Sequence, residues 1–187
     1  MDHYVDLTLL PDPEIAQQHL MGALFSKLHR ALVAQRSGSI GISFPAVQAE
    51  RVWLGDCLRL HGEQATLTGL MTSNWLTGMR DHVHATAVLA VSPKARFRVV
   101  SRVQAKSNPE RLRRRQMRRH GLDAAQALAS VPDTAAERLD LPYVQLRSQS
   151  TAQSFRLYIR HGELLETAAV GNFGAYGLST SATIPWF

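Results

Sequence analysis

The 187-residue chain has a single cysteine, Cys57, so no internal disulfide can form and the small disulfide-stapled secreted folds are excluded. No stretch approaches the roughly 18 consecutive apolar residues of a membrane-spanning helix. The opening residues, MDHYVDLTLLPDPE, carry early acids and lack the basic start and apolar run of an export signal. These absences lead us to expect a cytoplasmic protein with no membrane role. Carboxylates of the kind that hold two metal ions are not clustered in the sequence. His82 and His84, two apart in one expected strand, have no evident third ligand, so neither a metal nor another cofactor is expected. No internal repeat or low-complexity tract is present.

A hydrophobic content of 45% can supply a core for one large domain or two small ones. The net charge of +6 is unevenly spread. Residues 1–93 hold six Lys/Arg against eight Asp/Glu, whereas residues 94–187 hold fifteen against seven. A concentrated basic half is the footprint of a polyanionic partner, because neutralising phosphates releases their condensed counterions.

YVDLTLL alternates polar and apolar residues as a strand does, and PDPE supplies a turn with proline suited to a first helical turn. From about Glu14 to Gln35, Leu20, Met21, Leu24, Phe25, Leu28 and Leu32 share one helical face. Two further strands are expected in SIGISFPAV and GDCLRLHG, a second helix in EQATLTGLMTSNWL, and a fourth strand in HVHATAVLAVS. The order β-α-β-β-α-β is that of a ferredoxin-like domain over residues 1–93, a plan shared by proteins of many functions. The second domain, residues 94–187, is expected to be α+β, with a strand in ARFRVVSRVQ, an arginine-rich helix, a short helix in LDAAQALASV, and strands in YVQLRSQS, FRLYIRHG and the C-terminus.

SRVQAKSNPERLRRRQMRRH places eight Lys or Arg residues against one acid, Glu110. Ser107 with Glu110 fits a capping box, Asn108 is an alternative cap, Pro109 suits the first turn, and Gly121 supplies the stop. On the helical wheel Arg111, Arg114, Arg115, Arg118 and Arg119 share an arc of about 140°, with Leu112 and Met117 flanking and Arg113 behind. Five like charges on one face repel unless phosphates or acids lie opposite. A solvated basic face is the ordinary explanation of a charge run. The preponderance of arginine, which forks phosphates and guanine edges bidentately, favours nucleic acid. A membrane-surface helix would need a broad apolar face that Leu112 and Met117 do not provide. Arg102 and Gln104, two apart on a strand, carry groups suited to base edges, although an ordinary exposed strand face explains that spacing equally well.

That arginine segment, together with LRSQSTAQSFRLYIRHG, the closing YGL and PWF, and the N-terminal LFSKLHRALVAQ, resembles the CRISPR-associated endoribonucleases of subtype I-F, which cut repeat RNA into guide RNAs. The resemblance covers essentially the whole chain. It implies that Arg114, Arg115, Arg118 and Arg119 grip the repeat stem-loop in its major groove, which opens near the end of a short hairpin. It further implies that Arg102 and Gln104 read bases at the bottom of the stem and that Phe155 stacks on the terminal pair. His29 is implied as the catalytic histidine, Ser148 as the residue locking the scissile nucleotide, and Tyr176 as orienting histidine or substrate. Other CRISPR-associated subunits and a monomer on the RNA are implied as well.

Residue types are compatible with that chemistry. RNA carries its own nucleophile, the 2′-OH, so cleavage requires a base, alignment and charge stabilisation, with no obligatory metal. His29 falls at the edge of the apolar stripe, where a side chain is both held and reachable, and an imidazole ordinarily titrates near pH 6.5, about. Ser148 and Ser150, two apart, would face one way and can bond a ribose hydroxyl or phosphate oxygen. Two other functions stay open: a non-catalytic protein that binds an RNA hairpin and has no use for His29, and a DNA-binding protein.

Overall fold

A computed structural model describes residues 1–36, 38–105, 109–132, 139–148 and 153–187. The fold is α+β, with antiparallel pairing in its sheets and four α-helices among the described residues. In β1 (His3–Leu9) the alternation turns Val5, Leu7 and Leu9 into the core, while Asp6 faces the other way. The first sheet is ordered β2 (Gly41–Ser43), β3 (Cys57–Gly62), β1, β4 (Val83–Ala85), and a short β5 (Leu89–Ala90) also pairs β1. Leu7 lies opposite Leu58 on one side and Ala85 on the other, so the middle strand presents one apolar row.

α1 (Gln17–Gln35) covers that row with the expected stripe, burying Leu20, Met21, Leu24, Phe25, Leu28 and Leu32. At roughly 1.5–3 kcal/mol for each buried side chain, this packing far outweighs helix propensity in holding α1 in place. α2 (Gln64–Thr72) adds Leu67 and Leu70. The second sheet is ordered β7 (Tyr143–Arg147), β8 (Ser154–His161), β6 (Arg96–Val103), β9 (Thr183–Trp186). Strands of the first sheet all precede Pro93 in the chain, and those of the second all follow it.

Three elements differ from the sequence expectation. α1 begins at Gln17 because Asp12 Oδ1 accepts from the Glu14 and Ile15 amides at 2.9 and 2.8 Å, holding the expected first turn in a loop. α2 stops at Thr72, where Ser73 Oγ donates to the Leu70 carbonyl at 2.7 Å and Asn74 adopts φ 55°. The expected fourth strand is split, since Thr86 Oγ1 accepts from the Asp6 amide at 3.0 Å where a continuous ladder would use a carbonyl.

The chain forms two compact units, residues 1–102 with 141–187, and residues 103–140. The second unit contains α3 (Pro109–His120) and α4 (Ala124–Ser130). α4 opens with a capping box in which Asp123 accepts from the Gln126 amide at 2.8 Å and the Gln126 side chain returns a bond at 3.0 Å.

Candidate active site and nucleic-acid interface

His29 lies on α1 one turn beyond Phe25, half-buried at the edge of the apolar stripe. Its Nδ1 is 2.8 Å from the Ala175 carbonyl oxygen. A carbonyl only accepts, so Nδ1 carries the proton, and in the neutral ring Nε2 is left as the basic nitrogen. The imidazole also stacks on Tyr176, with centroids 4.1 Å apart and an interplanar angle of 15°. Tyr176 in turn lies nearly parallel to Phe25 at 6.0 Å, and the Arg102 guanidinium stands 5.7 Å from the Tyr176 centroid. A ring held by one hydrogen bond and one stacked face has little freedom to turn.

The turn that supplies both partners is itself clamped. The Gly177 amide donates to Gly174 O at 2.8 Å, and Ile42 of the neighbouring β2–β3 region donates its amide to Gly177 O at 2.9 Å. Gly177 has φ 69°, and a Cβ there would lie 2.6 Å from Ile42 Cγ2, so both conformation and space call for glycine. The Ala175 carbonyl is a functional group that sequence reasoning missed. A backbone acceptor has no side-chain signature, and the only available signal was the glycine pair bracketing Ala175 and Tyr176.

Ser148 immediately follows β7, its amide donating to Gln153 O at 2.8 Å across the β7–β8 hairpin. Phe155 sits at the same end, opposite Leu146 and packed partly into the core. Ser150 lies outside the described residues. α1 and β7 are brought together by Gly22, where even a methyl group would come within 2.5 Å of the Gln145 carbonyl oxygen. Gln18, His19, Tyr143 and Gln145 line one cleft beside this contact. Seven residues of helix advance about 10 Å from Gly22 to His29. Three residues of strand advance about 10 Å from Gln145 to Ser148. His29 thus stands about two turns along α1 from that contact, and Ser148 lies just past the end of β7.

Arg102, the penultimate residue of β6, is exposed, and so is Gln104 just beyond the strand. In the second unit α3 turns Leu112, Arg113 and Gln116 toward partial burial. Arg113 Nε donates to the Val131 carbonyl at 2.7 Å, and Ser130 Oγ donates to Gln116 Oε1 at 2.9 Å, so these residues form the face packed on α4. Arg111, Arg114, Arg115, Arg118 and Arg119 are exposed on the helix. Arg114 approaches Glu110 only to 3.9 Å, a solvent-exposed pair worth a few tenths of a kcal/mol, about. The expected caps Ser107 and Asn108 lie outside the described residues, whereas Gly121, at φ 63°, ends the helix as expected.

His82 and His84 do not share one strand. His82 closes the 3-10 turn Arg80–His82, with Nδ1 3.2 Å from Asp12 Oδ2, while His84 lies in β4.

The chain is an α+β protein with a held imidazole and an arginine-faced helix, and comparison with known families places it more closely. The family model described as CRISPR-associated protein (Cas_Csy4) matches residues 4–187, and the chain belongs to this family. It is 54% identical over 187 residues, covering 100% of both chains, to a Pseudomonas aeruginosa (strain UCBPP-PA14) protein named CRISPR-associated endonuclease Cas6/Csy4. A protein of the same name from Escherichia coli (strain UTI89 / UPEC) is 47% identical, again over 100% of both chains.

Proposed function

We propose that the protein is an endoribonuclease that binds the stem-loop of CRISPR repeat RNA and cuts at the 3′ base of the stem to produce mature guide RNA. The observation that carries this reading is the His29 imidazole, fixed through Nδ1 by the Ala175 carbonyl with its basic nitrogen left for substrate. Family membership and the names of the two relatives support the same activity and the same RNA.

In the proposed mechanism Nε2 of His29 takes the proton of the 2′-OH preceding the scissile phosphate. The 2′ oxygen attacks phosphorus, the bond to the 5′ oxygen breaks, and that oxygen leaves with a proton from solvent. The products carry a 5′-OH and a 2′,3′-cyclic phosphate, which can open to a 3′ phosphate. Ser148 holds the ribose in line, with Ser150 assisting, and Tyr176 keeps the imidazole oriented. Because the substrate supplies the nucleophile, no metal is required to generate one. Arg102 and Gln104 read the lowest base pairs, Phe155 stacks on the terminal pair, and Arg111, Arg114, Arg115, Arg118 and Arg119 hold the phosphates of the stem. The proposed architecture is a ferredoxin-like domain over residues 1–93, supported by the first sheet's β2-β3-β1-β4 order, and an RNA-binding domain over residues 94–187. The protein acts in the cytoplasm as a monomer on the RNA and joins other CRISPR-associated subunits.

The test is the repeat hairpin of the protein's own CRISPR array, with products mapped to the nucleotide. A 2′-deoxy substitution before the cut is expected to leave binding intact and abolish cleavage, and EDTA to leave the rate unchanged. His29→Ala is expected to lower cleavage by about 10²–10⁴-fold with affinity retained. Rapid cutting of the deoxy substrate would sink the mechanism, and an intact hairpin after incubation with wild-type protein would favour a non-catalytic binder.

A further inference from the structure

Near the N-terminal end of α1, away from His29, Gln18, His19, Met21, Trp53, Leu54, Gly55, Tyr143 and Gln145 line a cleft of about 230 Å³. That volume corresponds to about eight water molecules and falls below the roughly 300 Å³ at which sites for drug-sized ligands begin, so it suits one ring-sized group. The two aromatic residues are held in place. Trp53 exchanges backbone bonds with Gln48 at 2.8 and 3.2 Å, and the preceding Val52 adopts φ 52°. A β-branched residue in the left-handed region costs roughly 1–3 kcal/mol, a strain typical of segments that position a ligand clamp. Tyr143 is backed by the Arg156 guanidinium 4.4 Å from its centroid and by the edge of Tyr158 at 5.7 Å.

Indole and phenol rings beside two carboxamides, Gln18 and Gln145, form the chemistry that recognises an unpaired nucleobase. The rings stack on it, and each amide offers both a donor and an acceptor to its edge. Among the described residues no lysine, arginine, aspartate or glutamate lines the cleft, which fits a base better than a phosphate or an acidic peptide. Ten residues of α1 separate His19 from His29, about 15 Å and therefore roughly four stacked nucleotides at 3.4 Å each, or fewer if the strand is extended. We infer that this cleft is a subsite for one unpaired base in the single-stranded RNA flanking the stem, a few nucleotides from the cut. The inference rests on the proposed repeat-hairpin activity and adds to it a recognition element outside the stem.

Direct titration distinguishes the two. The probes are the repeat hairpin made uncleavable by 2′-deoxy substitution, with no flank or with four-nucleotide single-stranded flanks on either side, and the flanked hairpins with one abasic residue at each position in turn. Flanks are expected to raise wild-type affinity by about 5- to 150-fold, the effect of stacking one base. One abasic position should remove that gain. Gln18→Ala, at an exposed position, and Trp53→Ala, checked for fold by circular dichroism, should each lose the gain while binding the flankless hairpin as wild type does. An equal flank effect in wild type and both variants overturns the subsite. So does a gain that survives every abasic replacement, which assigns the contact to phosphates. In either case, binding of the flankless hairpin, with cutting of the all-ribose flanked hairpin, leaves the repeat-hairpin activity standing. Failure to bind that hairpin at all overturns both.

Discussion

Arg59 of one compact unit and the α3 arginines of the other are used in opposite ways. In residues 1–102 with 141–187 one arginine is tied into packing. Arg59 donates to both carboxylate oxygens of Asp6 at 2.6 and 2.9 Å and lies over the Tyr4 and Phe187 rings, with centroids at 4.5 and 4.1 Å. In residues 103–140, α3 has no fully buried side chain, and its arginines other than Arg113 are exposed. In the first unit Arg59 uses its charge to fix position, and in the second the charge of α3 faces solvent, where the proposed function sets it against the RNA. Cutting at one bond requires sub-ångström placement, whereas gripping a phosphate backbone requires many cations that tolerate small displacements. Damage to the first unit should therefore appear in stability and rate, and damage to the second in affinity and its salt dependence.

Acid should break the comparison most severely, because among the described residues the two histidines with strongly lowered pKa lie in the first unit. His61 is fully buried on β3, with Nε2 2.8 Å from Ser43 Oγ. Burial, reinforced by the Arg59 charge, pushes its pKa down to about 3. His161 on β8 stands between the Phe44 and Trp186 rings, and burial beside Arg98 lowers its pKa to about 4. Unfolded imidazoles titrate near pH 6.5, about, so below that pH the unfolded chain binds more protons than the folded one. Stability is then fully present above about pH 6.5 and declines as pH falls toward the folded values. Together the two sites amount to roughly several kcal/mol, comparable to a domain's whole stability. A melting temperature that drops between pH 6.5 and 4, and drops less in His61→Gln and His161→Gln, is the expected result. A profile unchanged by both substitutions would contradict it.

Next in size is Gly22→Ala. The added methyl would lie 2.5 Å from the Gln145 carbonyl, an atom of the β7 backbone that cannot swing aside as a side chain can. α1 and β7 must separate slightly, which costs about 1–3 kcal/mol and displaces His29 relative to Ser148. Misplacement by about 1 Å is enough for roughly a 100-fold loss of cleavage. Hairpin affinity should change little, because α3 belongs to the other unit. Wild-type cleavage by this variant would show that the α1–β7 approach does not set the active geometry.

Sequence periodicity revealed the parts that follow a repeat. The α1 stripe at Leu20, Met21, Leu24, Phe25, Leu28 and Leu32 is buried as the 3.6-residue spacing requires, and Arg113 lies behind the other arginines, bonded to Val131. Features made by contacts between distant residues were not legible. The tautomer of His29 depends on a carbonyl 146 positions away, and the division of the fourth strand depends on a hydroxyl at Thr86 reaching the Asp6 amide. His82 and His84 illustrate the converse. Alternation placed them together, but the pairing of His82 with Asp12 belongs to a 3-10 turn that no periodicity announces.

The smallest expected effect is also the sharpest test of the second unit, because it separates arginines of a single helix. Arg118 and Arg119 are exposed, and replacing both with alanine should leave the melting temperature nearly unchanged, within the ±0.5 kcal/mol, about, typical of surface sites. If each neutralises one phosphate, their loss should flatten the slope of log affinity against log salt by about 2 and weaken binding roughly 30-fold at physiological salt. Cleavage of saturating substrate should persist, because His29 and its partners are untouched. Arg113→Ala serves as the internal control: its guanidinium holds Val131 O at 2.7 Å, so its loss should increase amide exchange in α3 and α4 while leaving the salt slope nearly as it was. If instead the double variant loses rate with an unchanged salt slope, α3 acts in positioning, and the contrast between a unit that fixes geometry and one that supplies charge fails.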